Sequence, residues 1–243
     1  MAFPTLNEVE EKCHQLSQHY EIDDERFFSI IEHWDESDGS ADEKLMKSFQ
    51  ALLNQVSVEM DKMDQFMNMT PTCQMGCAFC CYFPIIVTEL EAKLIIQAIH
   101  DMPPARKNKI INNLKQYEHD QKEKLMVARS IDFKEHDAFK AKYRQLDLPC
   151  PLLDLETNAC LAYEVRPIPC RTYVNYLDPK ICENERMPNE TVSFDFLYHP
   201  YFEAFNTFLQ WLYEDGEETT VDYPTDLFKE DYLINWISAD IFS

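Results

Sequence analysis

Glycine stands at only three of 243 positions, Gly39, Gly76 and Gly216. Doubly wound sheets and barrels depend on glycine for tight turns and for close approach of one backbone to another. A chain this poor in glycine is restricted to architectures in which most residues sit in helices. Its length suits one large domain or two small ones, and either can bury a sizeable core.

The apolar spacing agrees. Residues 7–20 and 23–34 carry mixed charge with helical spacing. Ser40 and Glu43 form a capping box, which places a helix start there. Leu45, Phe49, Leu52, Val56, Met60, Met63 and Phe66 then recur at steps of three or four, the pattern of one long amphipathic helix. The methionines along it read as core filler. Thr88 and Glu91 form a second capping box, and Pro103 and Pro104 open another helix. Further helices are expected over 134–145, from Pro200 onward and across 225–242, with a short strand over 191–198. Segment 148–187 is rich in proline and cysteine and lacks helical period. It reads as loop-built, with little core of its own. The expected fold is mainly α: a single domain over 1–243, with helical flanks 1–69 and 188–243 around a cysteine-cluster core at about 70–187, and at most a short strand or hairpin.

Charge narrows the function. Forty-four acidic residues against 22 basic ones give a net charge of -22. Such a surface repels phosphate backbones and anionic lipid, so neither a nucleic acid nor a membrane is an expected partner. Residues 1–20 lack a basic and apolar leader, and no apolar run of about 18 residues occurs. A cytoplasmic protein is expected, in which thiols stay reduced and dense cysteines signal metal or redox chemistry rather than disulfides.

Eight of the nine cysteines lie between positions 73 and 182. Cys73, Cys77, Cys80 and Cys81 read C-x3-C-x2-C-C; Cys150, Cys160, Cys170 and Cys182 are spread through the loop-like segment. Cys13, alone on a helix, reads as a small hydrophobe. Thiols on a loop can turn inward on one ion, whereas regular helix or strand spacing would splay them. Neither cysteine group contains a histidine. All-sulfur ligation favours an iron–sulfur cluster, of the 4Fe-4S type, or a four-cysteine zinc site over a mixed catalytic zinc. All eight are therefore candidate metal ligands. Arg166 and Arg171 flank Cys170 and are candidates to offset thiolate charge. Glu11 and His14 form an isolated E-x-x-H without a second copy, which reads as a solvated helix face. No phosphate-binding loop, G-x-S-x-G or H-E-x-x-H is present.

Cys73, Cys77, Phe79 and Cys80 are similar to the cluster motif of radical S-adenosylmethionine enzymes. Those enzymes place the motif after the first strand of a partial barrel, and here it follows a long helix. A fuller match lies elsewhere. Cys73 to Cys81, CPLLD from Cys150 and CLAYEVRPIPCR from Cys160 to Arg171 together resemble the YkgJ-type, or CxxCxxCC, cysteine cluster family of zinc- or iron-chelating domains. The resemblance covers about 70–182, with three residues instead of two in the first gap. It implies that Cys73, Cys77, Cys80, Cys81, Cys150, Cys160 and Cys170 are the family cysteines; Cys182 lies outside the motif. The family has no general reaction, so the implied function is binding of a metal or an iron–sulfur cluster. Flagellin lysine N-methylases carry a similar module, which raises an S-adenosylmethionine-dependent lysine N-methyltransferase-like enzyme as the alternative, beside metal delivery or redox sensing.

Overall fold

The computed structural model describes residues 3–134 and 138–242. In chain order the helices are α1 (Leu6–His19), α2 (Asp24–Asp35), α3 (Ala41–Met67), α4 (Glu89–His100), α5 (Pro104–Asp120), α6 (Lys122–Arg129), α7 (Ala138–Arg144), α8 (Pro169–Thr172), α9 (Lys180–Asn184), α10 (Tyr198–Glu214), α11 (Thr225–Phe228) and α12 (Leu233–Trp236). The strands are β1 (Ile86–Thr88), β2 (Leu153–Asp154), β3 (Ala159–Cys160), β4 (Tyr173–Val174), β5 (Val192–Ser193) and β6 (Glu230–Tyr232). They form three separate antiparallel pairs, β1–β6, β2–β3 and β4–β5. The protein is mainly α, as its glycine content requires.

Both capping boxes form. The hydroxyls of Ser40 and Thr88 accept the N–H groups of Glu43 and Glu91, and each glutamate returns a bond to the cap backbone. Proline opens α5, where its missing N–H costs no helical bond. Helix 134–145 is present as α7; residues 135–137 lie outside the described ones.

The chain divides into two compact units. The first comprises Met1–Gln74, Pro167–Ile181 and Pro188–Tyr223. Here α2, α3 and α10 pack on one another, burying Phe27, Leu52, Phe205 and Phe208, with Phe49 stacked on Phe205 at 6.0 Å. Met46, Met60, Met63 and Met67 are buried, in keeping with their reading as core filler. Asp64 of α3 accepts the phenol of Tyr176 at 2.5 Å. Burial raises its carboxyl to about 6, and Asp61 adds to the rise against the Tyr176 bond. A folded-state value above that of a free aspartate, about 3.9, means that the native protein holds the proton more tightly. Stability therefore falls as pH rises from about 4 to about 6. Asp64→Asn removes the penalty and keeps an acceptor for Tyr176. It is expected to stabilise the protein at pH 7 by about 1 kcal/mol and to flatten thermal stability across that pH window.

The second unit comprises Met75–Arg166, Cys182–Met187 and Pro224–Ser243. Its core joins Tyr117 of α5, Leu125 and Ala128 of α6, Tyr143 of α7, Leu148, Tyr232 and Ile234. Two expectations need correction. Residues 225–242 are not one helix, because β6 runs extended to pair with β1, with Tyr232 opposite Ile86; that non-local pairing outweighs local helical spacing. The alternation over 191–198 gives only the short β5. Asp195–Leu197 is a 3₁₀ turn and α10 starts at Tyr198, because Phe194, Leu197 and Tyr201 are buried at turn spacing while Phe196 is exposed. Segment 148–187 also differs from the reading that gave it little core. Leu148, Leu152, Leu153, Ala162, Val165, Ile168, Val174 and Tyr176 are all buried. Loop residues bury side chains without any period, so periodicity passes over them.

No helix is long and apolar enough to cross a membrane among the described residues.

Candidate metal centre

Apart from Cys182 on α9, the thiols of the second unit come from three short stretches. Gly76, at φ 92°, makes the turn that leads into Cys77, in a region favouring glycine. The 3₁₀ turn Phe79–Tyr82 carries Cys80 and Cys81, closed by bonds from Cys81 N–H to the Ala78 carbonyl (2.9 Å) and from Phe83 N–H to the Cys80 carbonyl (3.1 Å). The Cys150 N–H donates to the Cys81 carbonyl at 2.7 Å, joining the first cysteine group to the second. Cys160 lies on β3, opposite Leu153.

One face of α5 fastens the second group. Arg106 Nη2 donates to the Leu161 carbonyl (3.0 Å), Lys109 to Asp154 (2.6 Å), Asn113 to the Pro151 carbonyl (3.0 Å) and Tyr117 to the Pro149 carbonyl (2.8 Å). These four residues recur at helical spacing on one side of the helix. Cys150 is thus held by bonds to the residues on either side of it.

Backbone N–H groups act on these sulfurs against burial, which disfavours the thiolate at Cys77, Cys150 and Cys160. Cys77 accepts the Phe79 N–H, Cys150 the Leu152 N–H and Cys160 the Ala162 N–H. Burial still raises all three thiols, and it pushes Cys150 up to about 12, with the charges of Cys160 and Cys80 adding to the rise. Cys80 goes the other way, lowered to about 7 by a hydrogen bond from Cys81, with the positive charges of Arg166 and Arg144 helping against burial. Arg166 also faces Cys160, and its guanidinium lies 4.1 Å from the Tyr163 ring centroid. Sulfur-only donors, backbone N–H groups directed at sulfur and arginine beside it are the features that a thiolate-bound metal requires, so the residues present fit such a group. Among the described residues no three Cys, His, Asp or Glu side chains are grouped so as to hold a metal ion.

Cys77, Cys80, Cys81, Cys150, Cys160 and Cys182, from both sequence groups, lie in the second unit, and the bond from the Cys150 N–H to the Cys81 carbonyl joins the two groups. Cys73 and Cys170 belong to the other unit. There the Cys73 sulfur accepts the Asn175 N–H at 3.3 Å, and Cys170 lies on α8. Cys182 lies on α9. Cys13 is half-buried on α1. Of the two arginines singled out from the sequence, Arg166 faces the thiols of the second unit, and Arg171 donates to Ser57 at 2.7 Å in the first. Sequence reasoning missed Arg144, which no motif marks, and the α5 face. The only signal for the latter was the spacing of Arg106, Lys109, Asn113 and Tyr117.

A mainly helical protein with sulfur donors gathered under arginines defines a class, the cysteine-cluster chelating proteins. Residues 72–192 match the family model CxxCxxCC, described as "Putative zinc- or iron-chelating domain", and the chain belongs to that family. No curated protein and no solved structure matches the chain.

Proposed function

We propose that the second unit holds a metal centre on thiolates drawn from Cys77, Cys80, Cys81, Cys150 and Cys160, either an iron–sulfur cluster of the 4Fe-4S type or a four-thiolate zinc ion. The observation that carries this reading is Cys150, tied to Cys81 through the backbone and lying beside the thiols of Cys80 and Cys160. Cys73, Cys170 and Cys182 are further ligand candidates from their place in the sequence. When bound, an iron–sulfur cluster supplies one-electron transfer and zinc a redox-inert cross-link. The chain's own residues do the rest. The Phe79, Leu152 and Ala162 N–H groups spread charge from sulfur, Arg166 and Arg144 offset it, and the α5 face keeps the Cys150 and Cys160 loops in register. Ligation also requires the sulfurs to turn inward on one centre and lose their protons, so metal uptake releases protons.

The test is zinc titration of the reduced protein against a chromophoric chelator, for wild type, Cys80→Ser, Cys150→Ser and Cys13→Ser. Tight binding that is lost in the first two variants and kept in Cys13→Ser is expected. Equal binding by all four proteins would place the metal elsewhere. Arg166→Gln is expected to bind metal about 10–100-fold more weakly than wild type, the usual loss for a residue supporting the ligands. Chelator-driven release, followed optically, measures it.

A further inference from the structure

Segment Cys182–Met187 belongs to the second unit although the chain on both sides of it belongs to the first. Its attachment centres on one buried cation. Arg144, at the end of α7, is 7% exposed. Its Nε donates to the Arg186 carbonyl at 2.9 Å, and its Nη1 donates to Asp147 at 3.2 Å. Arg186 donates in turn to the other oxygen of Asp147 at 2.6 Å. Asp147 accepts both arginines from a backbone at φ 45°, a left-handed conformation in which non-glycine residues are uncommon. The Arg144 guanidinium also lies over the rings of Tyr82 and Phe83, 5.3 and 5.6 Å from their centroids. The same side chain therefore touches the turn that carries Cys80 and Cys81 and the strap that begins at Cys182.

We infer that Arg144 couples occupancy of the thiol centre to closure of the 182–187 strap. The inference rests on the metal reading above and extends it to regulation. Thiolates bound to a metal keep net negative charge beside Arg144. That charge fixes the guanidinium over the Cys80–Phe83 turn and so aims its Nε–H at the Arg186 carbonyl. A loaded centre holds the strap closed; loss of the metal weakens the anchor.

Amide hydrogen exchange on the full chain, with and without zinc, reads this directly while chelator competition reports zinc binding in parallel. In wild type, zinc is expected to slow exchange across 182–187 by about tenfold or more. Arg144→Lys retains a charge but lacks the planar fork, so at a zinc concentration that saturates it, as the chelator competition reports, it is expected to lose most of that protection. Asp147→Asn leaves Arg144 in place and weakens its bond and that of Arg186. It should give an intermediate result even if Arg144 variants fold poorly. Zinc binding to wild type without slower exchange at 182–187 would overturn the coupling and leave the metal reading intact, as would full protection in both variants. Absence of zinc binding by wild type would overturn both.

Discussion

Cys150→Ser is expected to weaken metal binding by more than about 100-fold, beyond the 10–100-fold loss typical of residues that only support ligands. Cys150 is the thiol with the strongest structural ties, bonded through its backbone to Cys81 and fixed on both sides by Tyr117 and Asn113 of α5. Its sulfur is also the one most dependent on a metal to ionise, since burial pushes its thiol up to about 12. The stability consequence follows by linkage. Metal at about 100 times its dissociation constant stabilises the native state by about 2.7 kcal/mol. In a chain of this size that is a rise of about 5–11 °C in melting temperature. Adding metal should therefore raise the wild-type melting temperature by that amount and leave Cys150→Ser unchanged. Each protein is compared with itself after chelation, which separates the metal effect from the cost of burying a serine hydroxyl.

Leu148→Ala is expected to cost about 2–5 kcal/mol of stability with or without metal, about 4–20 °C in melting temperature. Leu148 is fully buried among Tyr117, Tyr143 and Tyr232, two residues before Cys150. Truncation there leaves a cavity that aromatic neighbours cannot easily fill. If segment 148–187 drew its order from the metal alone, the variant would melt like wild type once both were stripped. Because Leu148 is buried in the core of the second unit, the deficit should persist in the stripped proteins. Thermal melts of the four samples decide it.

These two residues also show what the sequence makes legible and what it hides. Helix starts at Ser40 and Thr88 are local events, set by residues three apart, and both are readable. The long run from Leu45 to Met63 is readable because a helix buries a periodic stripe. β6 is hidden because its partner, β1, is remote in sequence and the strand is short. Leu148, Leu152 and Leu153 are hidden for another reason: they are buried from a loop, where burial has no period. At the candidate centre, cysteine spacing and the lack of histidine are sequence properties, and the zinc- or iron-chelating family they point to is the one that residues 72–192 match. The bond that ties Cys150 to Cys81 is not legible in the spacing, because it links turns remote in sequence. Arg144 and the α5 face were out of reach, because a cation's nearness to a thiol depends on tertiary packing alone.

The metal content of anaerobically purified protein, measured by elemental analysis together with sulfide content and the visible absorption spectrum, tests the central claim most directly. The account predicts a stoichiometric metal carried on thiolates. That would be iron with sulfide, about four of each, and broad visible absorption, or else a single zinc without colour. Protein that carries neither, that takes up neither on reconstitution, and whose thiols all react freely with a thiol reagent before and after metal is added would contradict it.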